Sequence, residues 1–372
     1  MKIIVMCDSF KGTMKSSQVN QIIKDSIQPY FFDHDILNFP IADGGEGTLD
    51  AFVNATNAEL VSIPVNNPYF EPIGATYAKV KDTALIELAS AAGVQLIPKR
   101  LNPMETSTFG VGQLINHAIE NGAKHILLGL GGSATNDAGC GIMSALGVQF
   151  YDKDFHRFIP VGKSLKDIAF IDTSNIREKA KTVTWTIVSD VTNPLTGIDG
   201  AAHVYARQKG ADDEMIEQLD AGLEHFAKKI KLRLNKDIKH LVGAGAAGGV
   251  GGGMYAFFDV KHISGIQYFI DLVGLKSHLD DTDFIITGEG TLDAQTLNGK
   301  VVYGIAQIAK ERNIDVYAVV GQLKDDIDPH KIPIKDVIVI HDHPPGIQTI
   351  RQHAESDLRL TMHAWASRFT AR

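Results

Sequence analysis

Residues Thr106–Gly147, TSTFGVGQLINHAIENGAKHILLGLGGSATNDAGCGIMSALG, spell one complete repeat of an α/β architecture. Thr106, Ser107 and Thr108 suit a helix start. Val111, Leu114, Ile115, Ala118 and Ile119 then recur at the spacing of one apolar helix face, closed by Gly122. His125–Leu130 is a short apolar run, the mark of a strand buried on both faces. It ends in Gly131-Gly132-Ser133-Ala134-Thr135-Asn136-Asp137, and a small-residue helix runs on to Gly147. Helix, strand, glycine turn and helix in that order predict a parallel sheet covered by helices, with ligands at the carboxyl ends of its strands.

The same grammar recurs on either side. Lys2–Cys7 (KIIVMC) predicts a buried strand, followed by Val19, Ile22, Ile23, Ile27 and Tyr30 at helical spacing. Ile36–Ile41 predicts a second strand, ending at Ala42-Asp43-Gly44-Gly45-Glu46-Gly47-Thr48 before a helix bearing Leu49, Phe52 and Val53. Leu60–Val65, Ile73–Val80 and Ala84–Leu88 are three close strand candidates punctuated by Pro64, Pro68 and Pro72, a local meander or a crossing between domains. Val183, Trp185 and Ile187 alternate in a strand that delivers Ser189–Pro194, and Met215–Leu234 predicts an amphipathic surface helix. Asp283–Thr287 predicts a strand ending in Gly288-Glu289-Gly290-Thr291-Leu292-Asp293. A helix with Val302, Ile305, Ala306 and Ala309 follows, then strands Val316–Val320 and Val337–Ile340, and a last helix from about Thr349.

The chain has 372 residues, 44% of them hydrophobic and 22% charged, which supplies packed cores and excludes global disorder. At roughly 150 residues per domain this gives two domains. With no linker composition between them, one domain is expected to be inserted into the other. The joints fall near the proline-rich stretch and at Asp283: residues 1–62 with 284–372 form the terminal domain, and 63–283 the insert. Lys plus Arg number 36 against 44 Asp plus Glu, so the net charge is −8, which argues against a sequence-independent nucleic-acid binder. Two cysteines, Cys7 and Cys140, exclude a disulfide scaffold and a four-cysteine zinc module. Met1–Asp8 is too short for a secretory leader, and no apolar stretch approaches the ~20 residues that span a bilayer, so the expected address is the cytoplasm, without a membrane partner. The oligomeric state is not readable from the sequence; a homodimer stays open.

Five strand-end turns carry acids or clustered glycines: Asp8–Gly12, Asp43–Gly47, Gly131–Asp137, Asp190–Asn193 and Gly288–Asp293. Asp and Gly are common in any turn, but their recurrence at strand ends of one α/β sheet suits a Mg²⁺–phosphate ligand. The cation takes few carboxylates, and bare peptide N–H groups hold phosphate oxygens. A Walker A loop is absent, since Arg157 stands where Gly162-Lys163-Ser164 would need its first glycine. Gly243, Gly245 and Gly248 spell G-x-G-x-x-G, yet no clear strand precedes them. Asp271, at the distance where a dinucleotide site wants its acid, follows a helical Gln267–Ile270. This run is either a loop over phosphates or adenine, or a close-packed turn. Lys11 suits a transferring phosphoryl group or a substrate carboxylate, with a solvated helix-start lysine as the plainer reading. His341 and His343 lack a third ligand in register and read as a solvated turn, and Cys140 reads as packing.

The blocks Asp8–Gly12, Ala42–Thr48, Glu105–Gly110, Gly129–Asp137, Ser189–Leu195 and Thr287–Gly290 with Asp293 and Gln295-Thr296 stand in the order found in bacterial type 1 glycerate kinases, which the chain resembles along nearly its whole length. The resemblance implies two α/β domains with mainly parallel sheets, the middle one inserted, with a cleft between them. It also implies ATP- and Mg²⁺-dependent phosphorylation of D-glycerate, with 2-phosphoglycerate favoured over 3-phosphoglycerate. In that frame Asp190 and Lys11 are the candidate catalytic residues. Ser9, Lys11, Asn193 and Thr108 would bind substrate; Gly131, Gly132, Ser133, Gly245 and Gly248 would bind nucleotide phosphates; and Glu289, Asp293 and Asp43 would hold the metal. Two other classes stay open at this point: a nicotinamide oxidoreductase acting on a small hydroxy acid, resting on Gly243–Gly248, and a non-catalytic small-acid sensor.

Overall fold

In the computed structural model, residues 2–298, 300–341 and 346–371 are described. They form strands β1 (Lys2–Cys7), β2 (Asp35–Asn38), β3 (Glu59–Asn66), β4 (Pro72–Val80), β5 (Thr83–Glu87), β6 (His125–Gly129), β7 (Gln149–Tyr151), β8 (Arg157–Phe158), β9 (Phe170–Asp172), β10 (Thr184–Val188), β11 (Val260–Ile263), β12 (Phe284–Leu292), β13 (Asp315–Leu323) and β14 (Asp336–Val339). The fold is mixed α/β with mainly parallel sheets, as the alternation of patterns predicts. Two compact units result: 1–57 with 264–372, and 58–263. The chain therefore crosses between them just before β3 and just after β11, whereas the sequence reading puts the joints at 62/63, inside β3, and at 283/284, just before β12.

The first unit is a five-stranded sheet in the order β14-β13-β12-β1-β2, parallel throughout. Both faces of its middle strands are covered. Val19, Ile23 and Ile27 of helix Ser16–Ile27 pack with Leu358, Met362 and Ala366 of helix Ile347–Thr370 on one side, and Val302 and Ala306 of helix Val301–Lys310 lie on the other. Each of the Val, Ile, Leu and Met side chains taken from water contributes on the order of 1.5–3 kcal/mol, more than local propensity supplies. Phe31, Phe284, Tyr317, Trp365 and Phe369 form one aromatic cluster under the sheet. The sequence reading ends β12 at Thr287, but the strand runs to Leu292 because β13 keeps pairing with it, Glu289 opposite Val320 and Thr291 opposite Gln322.

The second unit holds a six-stranded sheet, β11-β10-β6-β5-β4-β3. β11, β10, β6 and β5 are parallel; β4 and β3 turn back antiparallel, so the proline-punctuated stretch is a meander at the sheet edge. Helix Phe109–Glu120 buries Val111, Leu114, Ile115 and Ala118, as its spacing predicts. Helix Asp213–Leu234 starts at Asp212, whose carboxylate accepts the N–H of Met215, and buries Leu219, Leu223, Phe226 and Ile230. A small antiparallel sheet, β8-β7-β9, has no counterpart in the sequence reading, since strands of two or three residues are too short to show a period. The glycine run is neither loop nor strand but a kinked helix, Ala246–Phe257, with left-handed Ala247, Gly248 and Gly249. No helix among the described residues is long and apolar enough to cross a membrane.

Candidate active site

The first unit builds an acidic pocket at the carboxyl end of its sheet. β1 stops at Cys7, opposite Gly288, while β12 continues, so Glu289 lies beside the loop that begins at Asp8. That loop is pinned from behind. Asn20 accepts the N–H of Cys7 and donates to Phe39 O at 2.9 Å each, and Ser16 Oγ donates to Cys7 O at 2.6 Å. Asp8, Lys11, Glu289, Asp293, Lys300 and His341 line a cavity of about 270 Å³.

Its electrostatics are those of crowded carboxylates. Lys11 Nζ stands 3.0 Å from Asp43 Oδ2, and Gly45 N–H donates to Asp43 Oδ1 at 2.9 Å. Burial, then the charge of Asp43, hold the Asp8 carboxyl well above the usual carboxylate range, against the pull of Lys11. Burial also pushes Glu289 up to about 7, although Thr296 Oγ1 donates to its Oε1 at 2.6 Å. Lys11 shows the converse: burial opposes its charge, but Asp43 and Asp8 outweigh that and hold the ammonium above the ordinary lysine range. Two lysines, Lys11 and Lys300, thus face four acids, Asp8, Asp43, Glu289 and Asp293. Such a pocket is short of positive charge.

The second unit builds a different pocket at the end of β6. The loop from Gly131 to Asp137 is held by Val94 N–H to Gly132 O at 3.0 Å and Ala134 N–H to Ala92 O at 2.8 Å. Asp137, wholly buried, accepts from Thr108 N and Thr108 Oγ1 at 2.8 Å, from Gly139 N at 3.1 Å and from Gly141 N at 3.2 Å. Burial raises this carboxyl, and those donors pull it back. Gly131, Gly132, Ser133, Val191, Tyr205 and Lys209 line a second cavity of about 270 Å³. Lys209 Nζ donates to Ser133 Oγ at 2.8 Å and to Thr135 O at 2.7 Å. β10 delivers Asp190 to the same end of this sheet, immediately before Val191. Asn193 accepts from Tyr205 OH at 2.7 Å and donates to Asp199 O at 2.9 Å.

The sequence-derived residues therefore divide between the units. Ser9, Lys11, Asp43, Glu289 and Asp293 gather in the first; Gly131, Gly132, Ser133, Asp190 and Asn193 gather in the second. Ser9 turns inward, its Oγ donating to Glu46 O at 3.2 Å. Asp293 pairs with Lys300 at 3.1 Å. Thr108 lies in the buried support of the glycine loop, its hydroxyl occupied by Asp137 and the N–H of Ile142. Gly245 and Gly248 press against backbone: an added Cβ would meet Pro194 O at 2.2 Å and Thr135 O at 2.0 Å respectively. Their run braces the Gly131–Asp137 loop from behind, and Ala247 is its contribution to the cavity wall. Cys140 is buried and its thiol raised by that burial, as packing requires. His341 Nε2 lies 3.6 Å from Asp357 Oδ2, whereas His343 lies outside the described residues. Among the described residues, the acids and histidines whose ligand atoms converge are Asp152, Asp154 and His156, two of them exposed, in the turn between β7 and β8. For Glu289, Asp43 and Asp293, one or two carboxylates suffice for Mg²⁺.

Sequence reasoning passes over Asp8, Lys300 and Lys209 as site residues. Lys209 carries a readable signal: it falls three and four residues after Ala206 and Tyr205, on the buried side of the Ala201–Tyr205 helix and the turn that follows.

A sequence model of the glycerate kinase family matches residues 3–370. A glycerate kinase of Bacillus cereus is 40% identical over 97% of this chain and 96% of its own length. Glycerate 2-kinase of Escherichia coli is 38% identical over 94% of this chain and 90% of its own. A crystal structure from Salmonella typhimurium LT2, assigned as glycerate kinase 2, superposes with a TM-score of 0.86 at 36% identity, covering 100% of this chain and 98% of that one. The chain belongs to the glycerate kinase family and is an enzyme of it.

Proposed function

We propose that this enzyme transfers the γ-phosphoryl group of ATP to a hydroxyl of D-glycerate, forming 2-phosphoglycerate in preference to 3-phosphoglycerate. The observation that carries the reading is the crowding of Asp8, Asp43 and Glu289 around Lys11 at the carboxyl ends of β1 and β12. Charge neutralisation and positioning are most of what phosphoryl transfer asks of a protein. Glu289 and Asp43, with Asp293 close in sequence, would hold Mg²⁺; the excess of buried carboxylate over cation there fits a divalent ion. Bound Mg²⁺ supplies charge to the phosphate oxygens. Lys11 offsets the charge of the glycerate carboxylate or the γ-phosphate. Backbone N–H groups of Gly131, Gly132 and Ser133 receive phosphate oxygens. Asp190 accepts the proton of the attacking hydroxyl as its oxygen bonds to the γ-phosphorus and the bond to the leaving ADP oxygen breaks.

A coupled assay of ADP release with D-glycerate tests the reaction, and NMR of the product fixes the hydroxyl. Absence of glycerate-dependent ADP release from folded protein would refute the activity; a 3-phosphoglycerate product would refute the regiochemistry alone.

A further inference from the structure

Lys209 has no part in the mechanism above, yet its amine is buried in the second unit, where a charge is costly. It is 2% exposed, and lysine is almost never buried this far without a counter-charge. Its ammonium donates to two neutral oxygens, Ser133 Oγ and Thr135 O, which leaves one of its three N–H groups without an acceptor among the described residues. Asp137 is the nearby acid, but its hydrogen bonds go to Thr108, Gly139 and Gly141 and none to Lys209. The next residue along the loop adds to the polar demand: the Asn136 amide is wholly buried with neither its Nδ2 nor its Oδ1 bonded. Lys209, Gly131, Gly132 and Ser133 share one cavity wall. Because Ser133 Oγ accepts from Lys209, its own hydrogen remains available to a ligand. Burial brings the amine down to about 7, with Asp137 opposing the shift only in part, so an anion in the cavity restores its charge.

We propose that Lys209 is the binding residue for a substrate oxyanion, seated in the cavity formed by Gly131, Gly132, Ser133, Tyr205 and Lys209. This deepens the kinase reading and rests on it. Two oxyanions of the reaction share the required chemistry, a nucleotide phosphate and the glycerate carboxylate. Lysine serves either as a compact charge that the peptide N–H groups cannot provide.

Calorimetric titration of the full chain with ADP, tripolyphosphate and D-glycerate separates them, using wild type, Lys209→Gln and, as a surface control, Lys181→Gln. A ten- to hundred-fold loss of ADP and tripolyphosphate affinity in Lys209→Gln identifies the phosphate; the same loss confined to D-glycerate identifies the carboxylate. Unchanged affinity for all three in folded Lys209→Gln overturns the proposal. Should that variant fail to fold, wild type decides through titrations in buffers of different ionisation enthalpy near pH 7.5. The groups around the amine are Asp137, a raised carboxyl, and Tyr205, whose phenol burial raises further, so the phenol stays protonated there. Net proton uptake with one of the probes is expected once the probe's own change in ionisation, which only the phosphates have near this pH, is subtracted, and uptake with none overturns the proposal. A wild type that binds the probes but releases no ADP with D-glycerate would refute the kinase reading and leave this site standing.

Discussion

The two units place their polar groups at the same station, the carboxyl ends of parallel strands, and arrange opposite chemistry there. In the first unit acids outnumber lysines, and two of those acids, Asp8 and Glu289, are pushed up towards neutrality. In the second a glycine loop surrounds one lysine, and it is the lysine that is pushed down. Burial is the first cause in both, because a low-dielectric setting penalises whichever charge lacks a partner. The first site therefore asks for a cation and the second for an anion.

The largest expected effect tests whether the proton acceptor sits with the glycine loop. Asp190→Asn should lower kcat by about 10²–10⁴ while the far-UV spectrum and unfolding midpoint stay near wild type. Turnover within a few-fold of wild type would move the base to the acidic site. Next in size is Glu289→Gln, which should raise the Mg²⁺ concentration for half-maximal rate by about tenfold or more. An unchanged requirement would make Glu289 a structural acid that merely holds Thr296.

A smaller effect, on stability rather than rate, tests the brace behind the glycine loop. Gly248 has φ +70° and an added Cβ would lie 2.0 Å from Thr135 O, so Gly248→Ala should cost about 2–4 kcal/mol and lower Tm by several degrees. Calorimetry reads it directly. A shift below one degree would mean that the kink relaxes and that the run is free to serve a ligand.

These sites were legible to different depths for physical reasons. The parallel strands declare themselves because burial on both faces leaves uninterrupted apolar runs, as in Lys2–Cys7 and His125–Gly129. Asp43, Glu289 and Gly131–Ser133 announce themselves because acids and glycines cluster at the ends of such runs. Gly245 and Gly248 are ambiguous in the sequence, since glycine serves close backbone packing as readily as phosphate binding, and the 2.2 Å and 2.0 Å approaches of an added Cβ to Pro194 O and Thr135 O supply the packing reason. Thr108 is ambiguous in the same way: a cap-like threonine and a substrate-binding one have the same sequence signature, and its hydroxyl bonds Asp137. Lys209 is hidden by the opposite fault, because a lysine among polar residues looks solvated until the helix phase before it is counted.

The smallest effect follows from Lys209 titrating near neutrality in the absence of ligand. Its folded value of about 7 lies below the lysine reference of 10.5, so between these pH values the unfolded chain holds a proton that the folded chain lacks. The Lys209 contribution to stability is therefore present in full above the unfolded value and is lost as pH falls through the folded one, with a slope of at most about 1.4 kcal/mol per pH unit. From pH 7 to pH 9 the urea-unfolding free energy of wild type should thus rise relative to Lys209→Gln by up to about 2–3 kcal/mol. Other titrating groups, Asp137 among them, are common to both proteins and cancel in the difference to first order. The oxyanion that Lys209 binds should flatten the slope, because it holds the ammonium charged in the folded state. A difference that is level with pH in ligand-free protein would mean that Lys209 keeps its proton unaided. The contrast between a cation-seeking and an anion-seeking site would then lose its second half.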